Sequence, residues 1–239
     1  MTVEKTGIWV LGYGSLIYKP PPHYTHRIPT VIYGFMRRFW QSSVDHRGTP
    51  ESPGRVVTLV PFREIKAHPE FLRDYEKYEN RGVKIDLEQW GTHDLKTIGV
   101  VYYIPADKAA EVKEYLDVRE QNGYTMHEVE VHLDLTESDA RDEELVEAIS
   151  ELEVHEVTGK KVLTTNVYIG TVTNEAFIGP ENIEDTAKVI ATNVGPSGTN
   201  FDYLRMLCES MESMDTCEEE DQYLIALFEE VKRLRNRKK

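Results

Sequence analysis

A buried strand that ends in glycines can present bare backbone to a ligand, and Gly12-Tyr13-Gly14-Ser15-Leu16 has that form. The preceding Ile8, Trp9, Val10 and Leu11 make a short apolar run that stops at Gly12, the pattern of a buried strand feeding a tight loop. Glycines there permit positive φ and close approach of a ligand, and successive N–H groups in such a turn can hold a carboxylate or a developing oxyanion. The loop has neither the third glycine of a dinucleotide fingerprint nor the Gly-Lys-Ser/Thr of a phosphate loop. Spacing alone also fits a plain tight turn.

The second chemical candidate is a carboxylate on a helix. The spacing predicts a helix from Ala106 to Gln121, closed by Asn122 and Gly123, with an apolar stripe Ala109, Val112, Leu116. The next position on that face is Glu120, so a carboxylate points toward the core. Burial and the negative end of the helix dipole both disfavour its ionised form, and Asp117 one turn earlier acts the same way, which raises the pKa toward that of a general base working near neutrality. A glutamate held by a structural arginine, Arg37, Arg38 or Arg55, is the alternative.

Other combinations are less productive. His127 and His132 lie on an expected strand, where positions five apart face opposite sides, so the pair alone cannot chelate a metal. Gln41-Ser-Ser-Val-Asp-His-Arg47 holds serine, histidine and aspartate too close in sequence for a relay, without a Gly-x-Ser-x-Gly elbow; it reads as a polar loop shaping a pocket. His23, Tyr24 and His26 sit in a proline-rich loop and read as surface residues.

Positioning these groups requires a sheet and helices. Strands are expected at residues 8–11, 31–40, 55–60, 98–104, 128–135 and 161–169. Many short strands with few helices between them imply an α+β fold, its sheet antiparallel or mixed and able to close as a barrel. Helical stripes follow at Ile183, Ala187, Ile190, Val194, then Leu204, Leu207, Cys208, Met211, then Leu224, Leu227, Phe228, Val231. Residues 195–200 supply the turn and cap that start the second of these helices. Residues 63–96, highly charged, and 136–159, acidic, read as surface insertions in a single domain spanning 1–239.

Composition narrows the partners. With 42 acidic against 28 basic residues the 239-residue chain carries a formal charge of −14, which repels nucleic acid and favours a small-molecule substrate. No apolar run is long enough for a membrane span, and the start lacks a signal-peptide stretch, so a cytoplasmic protein is expected, with a monomer favoured. Cys208 and Cys217 match neither a zinc pair nor a disulfide framework and read as packing residues. The basic ending Arg233, Arg235, Arg237, Lys238, Lys239 fits either a nuclear-import patch or a positively charged helix C-terminus.

Five blocks together carry a family resemblance. Val10-Leu-Gly-Tyr-Gly-Ser-Leu-Ile-Tyr-Lys-Pro20, Arg37-Arg-Phe-Trp-Gln-Ser-Ser-Val-Asp-His-Arg-Gly-Thr-Pro50, Pro53-Gly-Arg-Val-Val-Thr-Leu-Val60, Tyr115-Leu-Asp-Val-Arg-Glu-Gln-Asn-Gly-Tyr124 and Gly195-Pro-Ser-Gly-Thr-Asn200 are similar, in collinear order, to the ChaC family of glutathione-specific γ-glutamylcyclotransferases. The two charged segments and Tyr18, where tryptophan is common, depart from it. The resemblance implies a small mixed β-barrel with flanking helices, glutathione as substrate, 5-oxoproline and cysteinylglycine as products, and no cofactor or metal. It implies Glu120 as the catalytic glutamate and a γ-glutamyl-binding loop of Tyr13, Gly14 and Ser15, flanked by Val10, Leu11 and Gly12. Arg38, Gln41 and Tyr168 are further pocket candidates, and Glu111 is a second carboxylate on the helix. A hydrolase releasing glutamate and a non-catalytic γ-glutamyl sensor are the rival classes.

Overall fold

The computed structural model describes residues 7–119, 124–214, 216 and 220–237. Five antiparallel strands form its main sheet: β1 (Ile8–Gly12), β2 (His26–Tyr33), β5 (Lys96–Ile104), β6 (Thr125–Leu133) and β7 (Val162–Ile169), in the order β1-β5-β2-β6-β7. The sheet curls until its two edges approach, and Thr165 Oγ1 on β7 donates to the carbonyl of Trp9 on β1 at 2.8 Å. A nearly closed antiparallel barrel results, with Val100, Val101, Ile28 and Val131 fully buried within its core. A separate hairpin pairs β3 (Phe35–Ser43) with β4 (Gly54–Pro61), its register broken between Arg38 and Gln41.

The expected single strand at 31–40 is therefore two. Gly34 sits at φ +77° between them, a conformation a side chain resists, and it turns the chain from the barrel into the hairpin. The aromatic and β-branched residues on both sides have one continuous strand propensity, which hides the corner. β6 starts three residues earlier than expected because Thr125 pairs with Ile169; Leu135 lies beyond its end.

The charged segment after β4 is more than a surface appendage. It forms α1 (Phe62–Ala67) and α2 (Pro69–Tyr78), and its Ile65, Phe71, Trp90 and Leu95 complete a second apolar cluster with Met36, Trp40 and Val60 of the hairpin. Within the acidic segment, α4 (Glu143–Ala148) is capped by Asp142, whose side chain accepts from Leu145 N, and it lends Leu145 to the main core.

The helix α3 (Ala109–Arg119) buries Ala109, Val112 and Leu116 as the stripe requires. The last helices are α5 (Ile183–Thr192), α6 (Asn200–Glu212) and α7 (Gln222–Asn236). Val194 leaves the helical stripe: it is exposed, in a two-residue strand, β8 (Val194–Gly195), that pairs with β9 (Gly198–Thr199). Thr199 then caps α6, its side chain accepting from Asp202 N. Cys208 is buried, and burial pushes its thiol up to about 12, so it packs rather than reacts; Cys217 lies outside the described residues. Among the described residues no helix is long and apolar enough to cross a membrane.

Candidate active site

A cavity of about 900 Å³ opens where the barrel seam meets the β3–β4 hairpin. β1 and the loop after it deliver Val10, Leu11, Tyr13, Gly14 and Ser15 to its wall, and β7 delivers Tyr168. Gly12 stands behind the wall, where an added Cβ would meet Leu16 Cβ at 2.7 Å. The loop glycines serve tight packing rather than positive φ. Gly14 has φ −134°, and a Cβ there would lie 2.6 Å from Val57 Cγ2 and 3.1 Å from the Tyr203 hydroxyl. Gly14 also precedes a single 3-10 turn, Ser15–Ile17, which receives no side-chain cap and in which Ile17 N donates to the Gly14 carbonyl at 3.0 Å.

Hydrogen bonds knit the wall together. The Tyr13 hydroxyl donates to the Tyr168 carbonyl at 2.8 Å, the Tyr168 hydroxyl donates to Asp117, and Arg119 Nη2 donates to Ser15 Oγ at 2.7 Å. Arg119 Nη1 also reaches the Lys19 carbonyl at 3.0 Å. The end of α3 is thus fastened to the glycine loop. Glu120 and the rest of segment 120–123 lie outside the described residues, while the residues bracketing the segment, Arg119 and Tyr124, both line the cavity. Of the arginines weighed as its partners, Arg37 pairs with Asp221 at 3.0 Å, Arg38 with Asp74 and Glu79, and Arg55 with Glu181 at 2.8 Å.

Two expected pocket residues do not reach the cavity. Arg38 is buried with its guanidinium 4.3 Å from the Tyr223 ring centre and ion-paired to α2, so its role is to clamp the hairpin. Gln41 is buried with its amide against Gly170. Glu111 faces outward, bonded to His23 Nε2 at 2.9 Å. The loop after β3 does shape the cavity, through Asp45, His46 and Arg47, but without a relay through Ser43: its hydroxyl accepts from the backbone N–H of Arg47 at 3.1 Å.

Sequence reasoning missed Tyr18, Lys19, Lys113 and Arg119. Lys113 precedes Glu120 by seven residues, so the helical period alone could have marked it. Tyr18 is half-buried, and burial pushes its phenol up to about 12. It remains a neutral hydroxyl at physiological pH. Among the described residues the lining holds Lys19, Arg47, Lys113 and Arg119 against Asp45 and Asp117. A chain of charge −14 therefore offers anions a locally positive chamber.

Residues 8–234 match the family model described as ChaC-like protein. The chain belongs to the ChaC-like family. Among its relatives, the glutathione-specific γ-glutamylcyclotransferase of Saccharomyces cerevisiae is 55% identical, over 98% of this chain and 100% of that protein. The enzyme of the same name from Schizosaccharomyces pombe is 36% identical, over 95% and 93% of the two chains. A crystal structure of the selenomethionine-labelled yeast cyclotransferase specific to glutathione superposes with TM-score 0.89 at 54% identity, covering 98% of this chain and 99% of that one. In this ChaC-like chain, both the glycine loop and the segment bracketing Glu120 fall within the matched span.

Proposed function

We propose that this chain degrades glutathione by cyclising its γ-glutamyl group to 5-oxoproline and releasing cysteinylglycine. The observation that carries the reading is one cavity lined by both the Tyr13–Ser15 loop and Arg119 and Tyr124, the neighbours of the 120–123 segment. The cavity, about 900 Å³, is at the upper end of small-molecule sites and exceeds what a γ-glutamyl head alone needs. Its cations suit a substrate with two carboxylates.

Glu120 takes a proton from the substrate's α-ammonium, and the freed amine attacks the γ-carbonyl carbon of the same residue. The C–N bond closes a five-membered ring, and backbone N–H groups of the glycine loop hold the oxyanion. As the tetrahedral intermediate collapses, the bond to the cysteinyl nitrogen breaks. The proton held by Glu120 and the second proton of the ring nitrogen end on that departing amine. Nucleophile and electrophile are one molecule, so holding the folded conformer supplies much of the acceleration. The reaction draws on no bound metal or cofactor.

One observation favours a second reading, hydrolysis. At the cavity rim His46 Nδ1 lies 2.9 Å from Ser197 Oγ and its Nε2 lies 3.5 Å from Asp45. Products decide between them: purified protein incubated with glutathione releases 5-oxoproline and no free glutamate. Glutamate release that disappears in Ser197→Ala would establish the hydrolase instead.

A further inference from the structure

The far end of β6 carries a cluster that the cyclisation does not use. Glu130 and His132 are two positions apart and so share one face of the strand, with Glu130 Oε1 3.4 Å from His132 Nε2. The loop before β7 brings His155 against them, its ring centre 4.6 Å from that of His132. One donor atom from each of Glu130, His132 and His155 lies within 4.8 Å of the others. We propose that these three residues form a binding site for a single divalent cation of the zinc class.

The donor chemistry selects the ion. Two imidazoles and one carboxylate suit zinc, whose bonds to N and O run about 2.0–2.2 Å; tetrahedral donors at that radius stand roughly 3.4 Å apart, the separation already set between Glu130 and His132. A hard cation such as magnesium would demand an oxygen shell that the site does not offer. Glu130 is exposed while His132 is buried, so water completes the fourth position from the solvent side.

A supporting shell is also present. Thr158 Oγ1 lies 2.9 Å from His132 Nδ1 and can accept a hydrogen bond from it, while the Thr158 backbone N–H donates to His155 Nδ1 at 3.2 Å. In that tautomer His132 Nε2 carries a lone pair for the ion, and one threonine orients both rings. None of the three residues lines the cavity, although Thr164, the cross-strand partner of Glu130, does. An ion there ties the 153–160 loop to the barrel.

The test uses untagged, chelator-treated protein titrated with zinc chloride alone, read by calorimetry and by thermal melting. Expected is one zinc per chain at micromolar affinity with a raised Tm. His155→Ala and Glu130→Gln, both at positions that tolerate change, weaken binding at least tenfold, and Thr158→Val weakens it about 10- to 100-fold. His127→Ala on the same strand leaves it intact. Glutathione turnover in every variant reports that the fold survives. Absence of saturable binding below about 1 mM, or undiminished binding in His155→Ala, overturns the proposal.

Discussion

Glu120 is asked to move protons, so its replacement separates chemistry from structure. Glu120→Gln keeps size and hydrogen-bonding capacity and removes the base; kcat should fall by about 10²- to 10⁴-fold while the thermal transition stays put. Near-normal turnover would make Glu120 structural and remove the proposed mechanism. In the glycine loop, Gly14→Ala should cost far more activity than Ser15→Ala, because its Cβ would press on Val57 and on the Tyr203 hydroxyl. Ser15→Ala loses only a contact to Arg119 and keeps its N–H donor. The reverse order, measured as kcat/KM on glutathione, would assign the chemistry to the Ser15 hydroxyl. Both residues were identifiable from the sequence because Gly-Tyr-Gly-Ser follows an apolar run; the reason for the glycines was not. Gly14 is required by the proximity of β4 and α6, a contact between segments far apart in the chain that no local pattern records.

Buried charge joins the hairpin to the helix beside it. Arg38 joins β3 to α2, and Arg38→Met would strand Asp74 and Glu79 in the interior at a cost of about 3–5 kcal/mol. The expected result is a large drop in Tm, with kcat/KM per folded molecule nearly unchanged because Arg38 does not reach the cavity. This role was illegible in sequence: the helical carboxylates that engage Arg38 lie in a stretch whose charge density mimics a surface insertion. The corner at Gly34 was hidden for the opposite reason, since every neighbour favours a strand. Farther along α2, Glu76 accepts from Lys84 Nζ at 2.6 Å and from Ile85 N at 3.0 Å, and these bonds hold its pKa below the ordinary 4.5. A depressed carboxylate contributes stability that is present above 4.5 and is lost as pH falls through the folded value. Glu76→Gln should therefore lower Tm at pH 7, and its deficit against the parent should shrink in acid. A constant deficit would mean that packing, not charge, is at stake.

At the scale of the whole molecule, the question is selectivity. Reacting amine and carbonyl are identical in glutathione and in any γ-glutamyl amino acid, so discrimination must come from contacts to the cysteinylglycine part, whose binding energy orients the head. Removing that part should lower kcat as well as raise KM. Parallel measurement of 5-oxoproline release from glutathione, γ-glutamylcysteine and γ-glutamylalanine tests this; comparable kcat/KM for all three would leave a general cyclotransferase.

The seam between Trp9 and Thr165 also sets when the catalyst comes into being. The cavity draws one wall from the first strand and another from the last strand of the main sheet, 155 residues apart at the Tyr13–Tyr168 bond, and closing so long a loop is a late, entropically expensive event. A nascent chain that has not yet released β7 holds the glycine loop and α3 but no chamber. The enzyme should consequently be silent toward glutathione at least until β7 has emerged, and in refolding experiments its turnover should recover with the last structural signal rather than the first.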